Sequence, residues 1–222
     1  MATLYIVATP IGNLEDITFR AVRILKEVAV VFCEDTRTSR VLFTKYDIKT
    51  ATESFHAQSP LTKMDHIIDL LEQGKDVALV SDAGTPGISD PGMLLVSEVR
   101  KRSPETSVIA IPGPSALTAA VSIAGKPLHE FVFLGFLPHK KGRQTIFEEI
   151  KAEERPYIFY ESPHRIEKTL EALKDSGKIV TICREITKMH ESYLSGSAED
   201  VLLSFKNNPD TLRGEFVVIV SS

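Results

Sequence analysis

The chain reads as an α/β protein of two domains, and three features of the sequence point there. Short, almost wholly apolar runs such as "LYIVAT", "VAVVFC" and "DVALV" alternate with helical patterns through the first half. Runs that apolar are strands buried on both faces, which is the mark of a largely parallel sheet covered by helices. After "AGKPLHEF" and "GFLP" the alternation changes rhythm, so a second sheet of mixed strand direction is expected beyond about Gly125 to Leu137. We therefore expect an N-terminal α/β domain over 1–125 and a C-terminal α/β domain over 126–222.

In order, "LYIVAT" leads to a helix from Asp16 to Glu27, "VAVVFC" to a helix near Thr36 to Thr44, and a further helix runs from Thr62 to Gln73. The strand "DVALV" opens into a helix ending at Arg102, and "SVIAIP" closes the first domain. The second half reads as "EFVFLGFLP", a helix around Thr145 to Glu153, "YIFYESP", a helix from Ile166 to Asp175, "IVTICRE", a helix at Ala198 to Phe205 and "EFVVIV". β-Branched and aromatic runs bounded by Gly, Pro, Asn and Asp are strands; apolar residues spaced three and four apart are helices.

Composition sets bounds on function. The 222 residues are 43% hydrophobic and 25% charged, values of a water-soluble globular protein. No apolar run approaches the ~20 residues of a membrane span, and "MATLYIVATP" lacks the basic start and long apolar stretch of a secretion signal, so a cytoplasmic location is expected. Cys33 and Cys183 lie far apart inside apolar segments and are read as buried free thiols; the histidines show no ligand spacing. A net charge of −4 argues against broad nonspecific nucleic-acid binding, leaving local patches such as "HKKGR" (His139 to Arg143) as phosphate contacts or as a solvated loop.

The stretch "VSDAGTPGISDPG", Val80 to Gly92, is the most informative. A strand that opens through a glycine-rich turn into a helix brings main chain close to a ligand. The familiar nucleotide motifs fail. Gly87 to Gly92 imitates the start of a P-loop, yet Met93 and Leu94 stand where Lys and Ser/Thr must follow. No G-x-G-x-x-G occurs here or after the first strand, so neither a triphosphate nor NAD in its usual seat is indicated. Six strands end in small or polar residues: "TPIGN", "EDTR", "SDAGTP", "PGPSA", "ESPHR" and "REITK". Ligand crevices of open α/β sheets lie beyond the carboxyl ends of strands, so these endings outline one site.

The loops "TPIGNLEDIT", "CEDTRTS", "SDAGTPGISDPG", "PGPSALTAA", "FLGFLP", "YESPHRI" and "CREITK", spread in order over Thr3 to Val220, resemble the tetrapyrrole methylase superfamily, the class III S-adenosylmethionine-dependent methyltransferases. "SDAGTPGISDPG" and "EDTR" are similar to its ribosomal RNA-modifying subgroup, because the tetrapyrrole enzymes carry Gly-Asp-Pro where this chain has Gly84-Thr85-Pro86. The resemblance implies two α/β domains with S-adenosylmethionine in a cleft between them, a homodimer, and 2′-O-methylation of a cytidine in the decoding region of 16S ribosomal RNA. The partner so implied is that RNA or the small ribosomal subunit. Pro10, Ala83, Gly84, Thr85, Ile88, Ser115, Ala116, Glu161 and Ile186 match the family's cofactor contacts. No metal is implied.

A ribose hydroxyl needs its proton removed, and the carboxylates Asp16, Glu34, Asp35, Asp82 and Asp90 are candidates. Glu34 stands where related enzymes place a proton-accepting aspartate, so it is the favoured base with Asp35 as fallback; both also suit capping of the following helix or pairing with Arg37. Two departures from the subgroup are visible: "SFHAQSP" (Ser54 to Pro60) replaces a His-Asn-Glu-rich segment, and many relatives continue past the final strand. RNA affinity is accordingly expected to be weaker or to come from a partner. Competing readings are a methylase of a tetrapyrrole or of the diphthamide precursor, and a noncatalytic adenosine-nucleoside-binding module.

Overall fold

A computed structural model describes residues 2–56, 61–88 and 92–222. By internal packing the chain divides into Met1–Ser115 and Ala116–Ser222.

The first unit runs β1 (Thr3–Val7), α1 (Phe19–Glu27), β2 (Val30–Cys33), α2 (Thr36–Lys45), β3 (Ala51–Ser54), α3 (Leu61–Glu72), β4 (Val77–Val80), α4 (Gly92–Arg102) and β5 (Ser107–Ile111). Its five strands stand in the order β3-β2-β4-β1-β5, and every pairing is parallel. Period-two alternation sorts the strand residues between two cores. Val7, Val31, Cys33, Val80 and Ile111 pack with Ala21, Ile24 and Leu25 of α1 and Leu42 and Phe43 of α2. Leu4, Phe32, Val77 and Leu79 pack with Ile67 and Ile68 of α3 and Leu95 and Val99 of α4. Helices α1 and α2 therefore cover one face, α3 and α4 the other.

That winding has a geometric consequence. From β1 the chain leaves toward β2, and from its neighbour β4 it leaves toward β5, so the two connections part to opposite faces. Such a switch point opens a crevice at the carboxyl ends of the two strands. The loops there begin at Ala8 and Ser81.

In the second unit come α5 (Ala116–Ile123), β6 (Val132–Phe136), α6 (Arg143–Ala152), β7 (Tyr157–Glu161), α7 (Ile166–Leu173), β8 (Ile179–Arg184), β9 (Ser192–Gly196), α8 (Ala198–Asn207) and β10 (Phe216–Ser221). The sheet order is β6-β7-β10-β8-β9, with β6 parallel to β7 and the other pairings antiparallel. Helices α6, α7 and α8 supply Phe147, Ile150, Leu170, Leu173, Val201 and Phe205 to one core against Phe159, Ile182 and Val218. Helix α5 is not part of that cluster and packs against β10. The division falls before α5, so this helix belongs with the second unit and not with the first, as a boundary at 125 would place it.

Several local differences from the sequence reading have simple causes. Helix α1 starts at Phe19 because Thr18 Oγ1 accepts from the Ala21 N–H; "LED" before it is a separate 3-10 turn capped by Asn13. The strands β3 and β9 were not expected. Each lies at a sheet edge with one neighbour, and such strands need no unbroken apolar run. Both cysteines are free and buried, and burial pushes both thiols up, Cys183 to about 11. Among the described residues no helix is long and apolar enough to cross a membrane.

One buried cation organises the far end of the second unit. Arg184, the last residue of β8, donates to the carbonyls of Arg213 (2.6 Å), His190 (2.9 Å) and Asp210 (3.3 Å) while only 8% exposed. It ties the turn after β8 to the segment preceding β10. Replacing it with Met leaves those carbonyls without a donor. We expect a loss of stability of at least about 1–3 kcal/mol, read as a lower urea midpoint with an unchanged slope; an unchanged midpoint would show that solvent takes over all three.

Candidate active site

The loop after β4 is the hub of the first unit. Gly84 pairs with Thr9 across the switch point in a two-hydrogen-bond antiparallel bridge: Thr9 N donates to Gly84 O at 2.9 Å and Gly84 N to Thr9 O at 3.0 Å. The Thr9 hydroxyl adds a bond to Ser81 O at 3.1 Å. Toward β5, Thr85 Oγ1 donates to Pro114 O at 3.1 Å. Toward β2, the Asp35 N–H donates to Asp82 Oδ1 at 3.0 Å. One loop thus fastens the carboxyl ends of β1, β2 and β5.

The glycines explain why this loop is so bare. Gly84 sits at φ +79°, and a Cβ on it would lie 3.4 Å from Ile11 Cγ2. Gly87 sits at φ +90°. A residue with a side chain is strained at such angles, by roughly 1–2 kcal/mol for left-handed backbone. Gly113, at the end of β5, has ordinary φ but its Cβ would stand 3.0 Å from Ala8 Cβ, so the backbones of two site loops approach too closely for a side chain. Gly84→Val would therefore disturb the loop itself and not only fill a pocket.

The expected first-unit residues converge on this end. Pro10 and Ser115 are buried, Gly84 is buried between them in the bridge, Thr85 and Ile88 are half-buried, and Ala83 is exposed. Among the carboxylates the positions differ sharply. Glu34 follows β2 half-buried and lines a small depression with Phe55, Ser81, Pro86 and Gly92. Asp35, the next residue, is the N-cap of α2: its Oδ1 accepts from Arg37 N at 2.8 Å and its Oδ2 pairs with Arg37 Nη2 at 2.7 Å. Asp82 is exposed and receives the Asp35 N–H; Asp16 is exposed in the 3-10 turn before α1. Asp90 lies outside the described residues, as does the segment 57–60 of "SFHAQSP".

In the second unit, β7 and β8 both run antiparallel to β10, and Glu161 and Arg184 are both register partners of Phe216. Glu161 and the turn holding Ile186 therefore sit at the same end of that sheet. Glu161 is held as a structural carboxylate. Its side chain is wholly enclosed, accepting from Arg143 Nη2 at 2.6 Å, Thr169 Oγ1 at 2.7 Å and the Ser162 N–H at 2.8 Å, with Arg165 Nε at 2.7 Å. What Glu161 can offer a ligand is main chain. The same geometry removes Arg143 from the basic patch: it also stacks over Phe147, 5.1 Å from the ring centre, with its side chain 14% exposed. Of the basic residues in "HKKGR", His139, Lys140 and Lys141 stand exposed.

Ile186 is buried in a turn under strain. Its neighbours Glu185 and Thr187 both have positive φ, 50° and 69°. Non-glycine residues held there cost on the order of 1–3 kcal/mol each and cluster at binding sites. The neighbouring contacts fix them: Glu185 Oε1 accepts from Lys188 Nζ at 2.9 Å and from the Glu215 N–H at 2.8 Å. Thr187 Oγ1 is buried and has no hydrogen-bond partner among the described residues. An orphaned hydroxyl beside strained backbone is what a polar ligand would satisfy. Sequence reasoning missed Thr187, since nothing in "REITK" distinguishes it; its signal is conformational.

On the first unit, small residues that leave main chain open suit a polar organic ligand better than a phosphate chain, for which the described residues of the glycine loop supply no cationic cradle.

Two outcomes test these assignments. Arg143→Ala strips one of two guanidinium partners from a fully enclosed carboxylate, and we expect a loss of about 3–5 kcal/mol in chemical unfolding; a change near zero would mean Arg165 alone suffices. Asp35 is held at about 2, below the ordinary 3.8, first by its side-chain bond with Arg37 and then by the Arg37 N–H. A depressed carboxylate stabilises the fold above its ordinary value and loses that contribution as pH falls through about 2. The melting-temperature gap between the native chain and Asp35→Asn should shrink as pH drops from about 4 to 2, and a gap constant with pH would contradict the pairing.

Comparison with known proteins assigns the chain. A family model described as tetrapyrrole (corrin/porphyrin) methylases matches residues 3–202. A Thermotoga maritima protein named ribosomal RNA small subunit methyltransferase I is 43% identical over 100% of this chain and 99% of its own length. Proteins of that name from Halalkalibacterium halodurans and Pseudomonas aeruginosa are 46% and 41% identical, over 98% and 99% of this chain and 75% and 78% of their own lengths. Among solved structures, the methyltransferase CobJ superposes with a TM-score of 0.71 at 19% identity, covering 100% of this chain and 95% of that one. The cobalt precorrin-4 methyltransferase CbiF gives 0.72 at 16%, covering 99% and 94%. With its two α/β units, its glycine loop at the switch point of the parallel sheet and this full-length likeness, the chain belongs to the tetrapyrrole methylase family of methyltransferases.

Proposed function

We propose that the protein methylates small-subunit ribosomal RNA, using S-adenosylmethionine to modify the ribose 2′-oxygen of a cytidine in the decoding region of 16S RNA. The observation that carries the acceptor class is identity of 41–46% along essentially the whole chain with proteins named for that RNA. The solved corrin methyltransferases share the fold at 16–19% identity, too remote to argue for a tetrapyrrole substrate.

Bound S-adenosylmethionine supplies an electrophilic methyl group on a sulfonium. In this reading Pro10, Ala83, Gly84, Thr85, Ile88 and Ser115 contribute to its seat, together with Ala116, Ile186 and the main chain of Glu161. Bare loops let backbone groups reach it and shut out water. Fastening the loop after β4 to three strand ends fixes their geometry before substrate arrives, and orientation of that kind can lower a barrier by roughly 7–11 kcal/mol in favourable cases. Glu34, mounted at the end of a buried strand, takes the proton from the ribose hydroxyl as the new bond forms. Asp35 is excluded from that role by its cap and its arginine, which keep it a weak base. Lys140 and Lys141 contact RNA phosphate. The assembly acts as a homodimer in the cytoplasm.

Single-turnover methylation of purified small subunits, with mapping of the modified ribose, tests the reading. Glu34→Gln keeps shape and loses the proton acceptor, so the rate should fall by about 10² to 10⁴. The cofactor should still raise stability in the variant by about 2.7 kcal/mol at a hundredfold excess over its dissociation constant. Normal turnover by the variant would move the base elsewhere, and methyl transfer to no RNA would overturn the acceptor class.

A further inference from the structure

Helix α1 carries an aromatic residue that the fold does not use. Its core face is made by Ala21, Ile24 and Leu25, while Phe19, at its first position, is 97% exposed. Phe is no better a helix former there than a small polar residue. A single exposed apolar side chain is ordinary, but Phe19 is not single. It shares a shallow depression with Ile17, Val22 and Tyr46, and the Tyr46 hydroxyl is pinned to Leu14 O at 2.8 Å.

Exposed cations stand beside this ring, with carboxylates among them: Leu14 to Glu27 carries Arg20, Arg23 and Lys26 against Glu15, Asp16 and Glu27. On α1 itself Arg20, Arg23 and Lys26 are exposed. The carboxylates of Glu15 and Glu27 also edge the depression, and Glu27 pairs with Arg23 at 2.7 Å. Both members of that pair are more than half exposed, so the guanidinium is readily exchanged to a phosphate. The ring stands where the β1–α1 connection, which begins at Ala8 at the switch point, enters the helix.

We propose that Phe19 is a stacking platform for one unpaired base of the RNA substrate, with Arg20 and Arg23 on the adjoining phosphates. An aromatic face beside exposed cations is the combination that holds single strands, because every base offers a π-face and every linkage a negative charge. An apolar protein segment would be served by the ring but not by the cations. The inference rests on the RNA reading above and adds to it a specific contact outside the cofactor's seat.

The test uses the full chain with two probes: a single-stranded ribo-oligonucleotide carrying 2-aminopurine, and purified small subunits. Phe19→Ala and Phe19→Leu should weaken binding about 5- to 150-fold, the range for loss of one stacked base, whereas Phe19→Tyr should stay within about threefold. Quenching of the aminopurine should persist in Phe19→Tyr and vanish in Phe19→Leu. The salt dependence should be unchanged in Phe19→Ala and shallower in Arg20→Ala/Arg23→Ala. Melting shifts with S-adenosylmethionine should be alike throughout, since no cofactor contact is altered. Binding by Phe19→Ala equal to the native chain would overturn the platform, and binding by Phe19→Leu equal to it would assign the ring to apolar docking instead. If the native chain methylates RNA while these variants bind it unchanged, only the platform falls; if the native chain neither binds nor methylates RNA, the RNA reading falls and takes the platform with it.

Discussion

The pairing of Thr9 with Gly84 is the constraint on which the first unit's site depends. Doubly wound sheets separate two neighbouring loops at the switch point, and left alone those loops would be the most mobile part of the unit. Here two backbone hydrogen bonds cross the gap, and they require Gly84 at a φ that a side chain resists. Once that bridge is made, Thr85 can reach Pro114 and Asp82 can receive the Asp35 N–H. A floppy set of loops becomes a fixed wall built mostly of main chain. The positive φ that lets Gly84 make these bonds also disfavours a side chain, so the segment Ser81–Thr85 is both bare and tied down.

The second unit reaches rigidity by a different route. Its strand ends are fastened by buried charge: Glu161 between Arg143 and Arg165, and Arg184 against three carbonyls. A buried carboxylate with two guanidiniums is costly to assemble and more costly to break, so it fixes geometry without adding much net stability. What it positions is the end of the sheet where the Glu185–Thr187 turn is held with two left-handed residues. Strain of that kind persists only where the surroundings over-determine it. Arg184 on one side and the Lys188–Glu185–Glu215 contacts on the other provide that surplus.

Much of the fold was legible because burial on both faces leaves an unmistakable apolar run, as in "DVALV", and because Gly and Pro mark where strands end. The edge strands "ATES" and "SYLSG" were illegible for the converse reason: one neighbour and a wet face demand no particular residues. Helix α5, "ALTAAVSI", is short and mostly apolar, with only Thr118 and Ser122 to mark its wet face, so periodicity did not reveal it. At the site, the motifs located the loops but not what their side chains do. "HKKGR" reads as one basic patch, yet only the fold turns Arg143 inward to Glu161 and leaves the two lysines outside. Likewise Thr187 carries no sequence signal, since an unsatisfied hydroxyl is a fact of packing.

Glu34 and Asp35 show how far the chemistry of a pair can part over one peptide bond. Successive residues leaving a strand project to opposite sides. Glu34 consequently lines the depression with Phe55 and Ser81, whereas Asp35 turns to the first turn of α2. There it meets the free N–H groups of the helix start, and Arg37 lies within reach. Arg37, by its side chain first and its N–H second, lowers the Asp35 carboxyl to about 2, so it is ionised at neutral pH and committed to geometry. The proton acceptor of the proposed reaction needs a carboxylate on a stiff mount in a partly enclosed place, and Glu34 stands half-buried directly after β2. On the proposed mechanism the two neighbours divide the work, because the residue that caps the helix also steadies the backbone from which Glu34 projects.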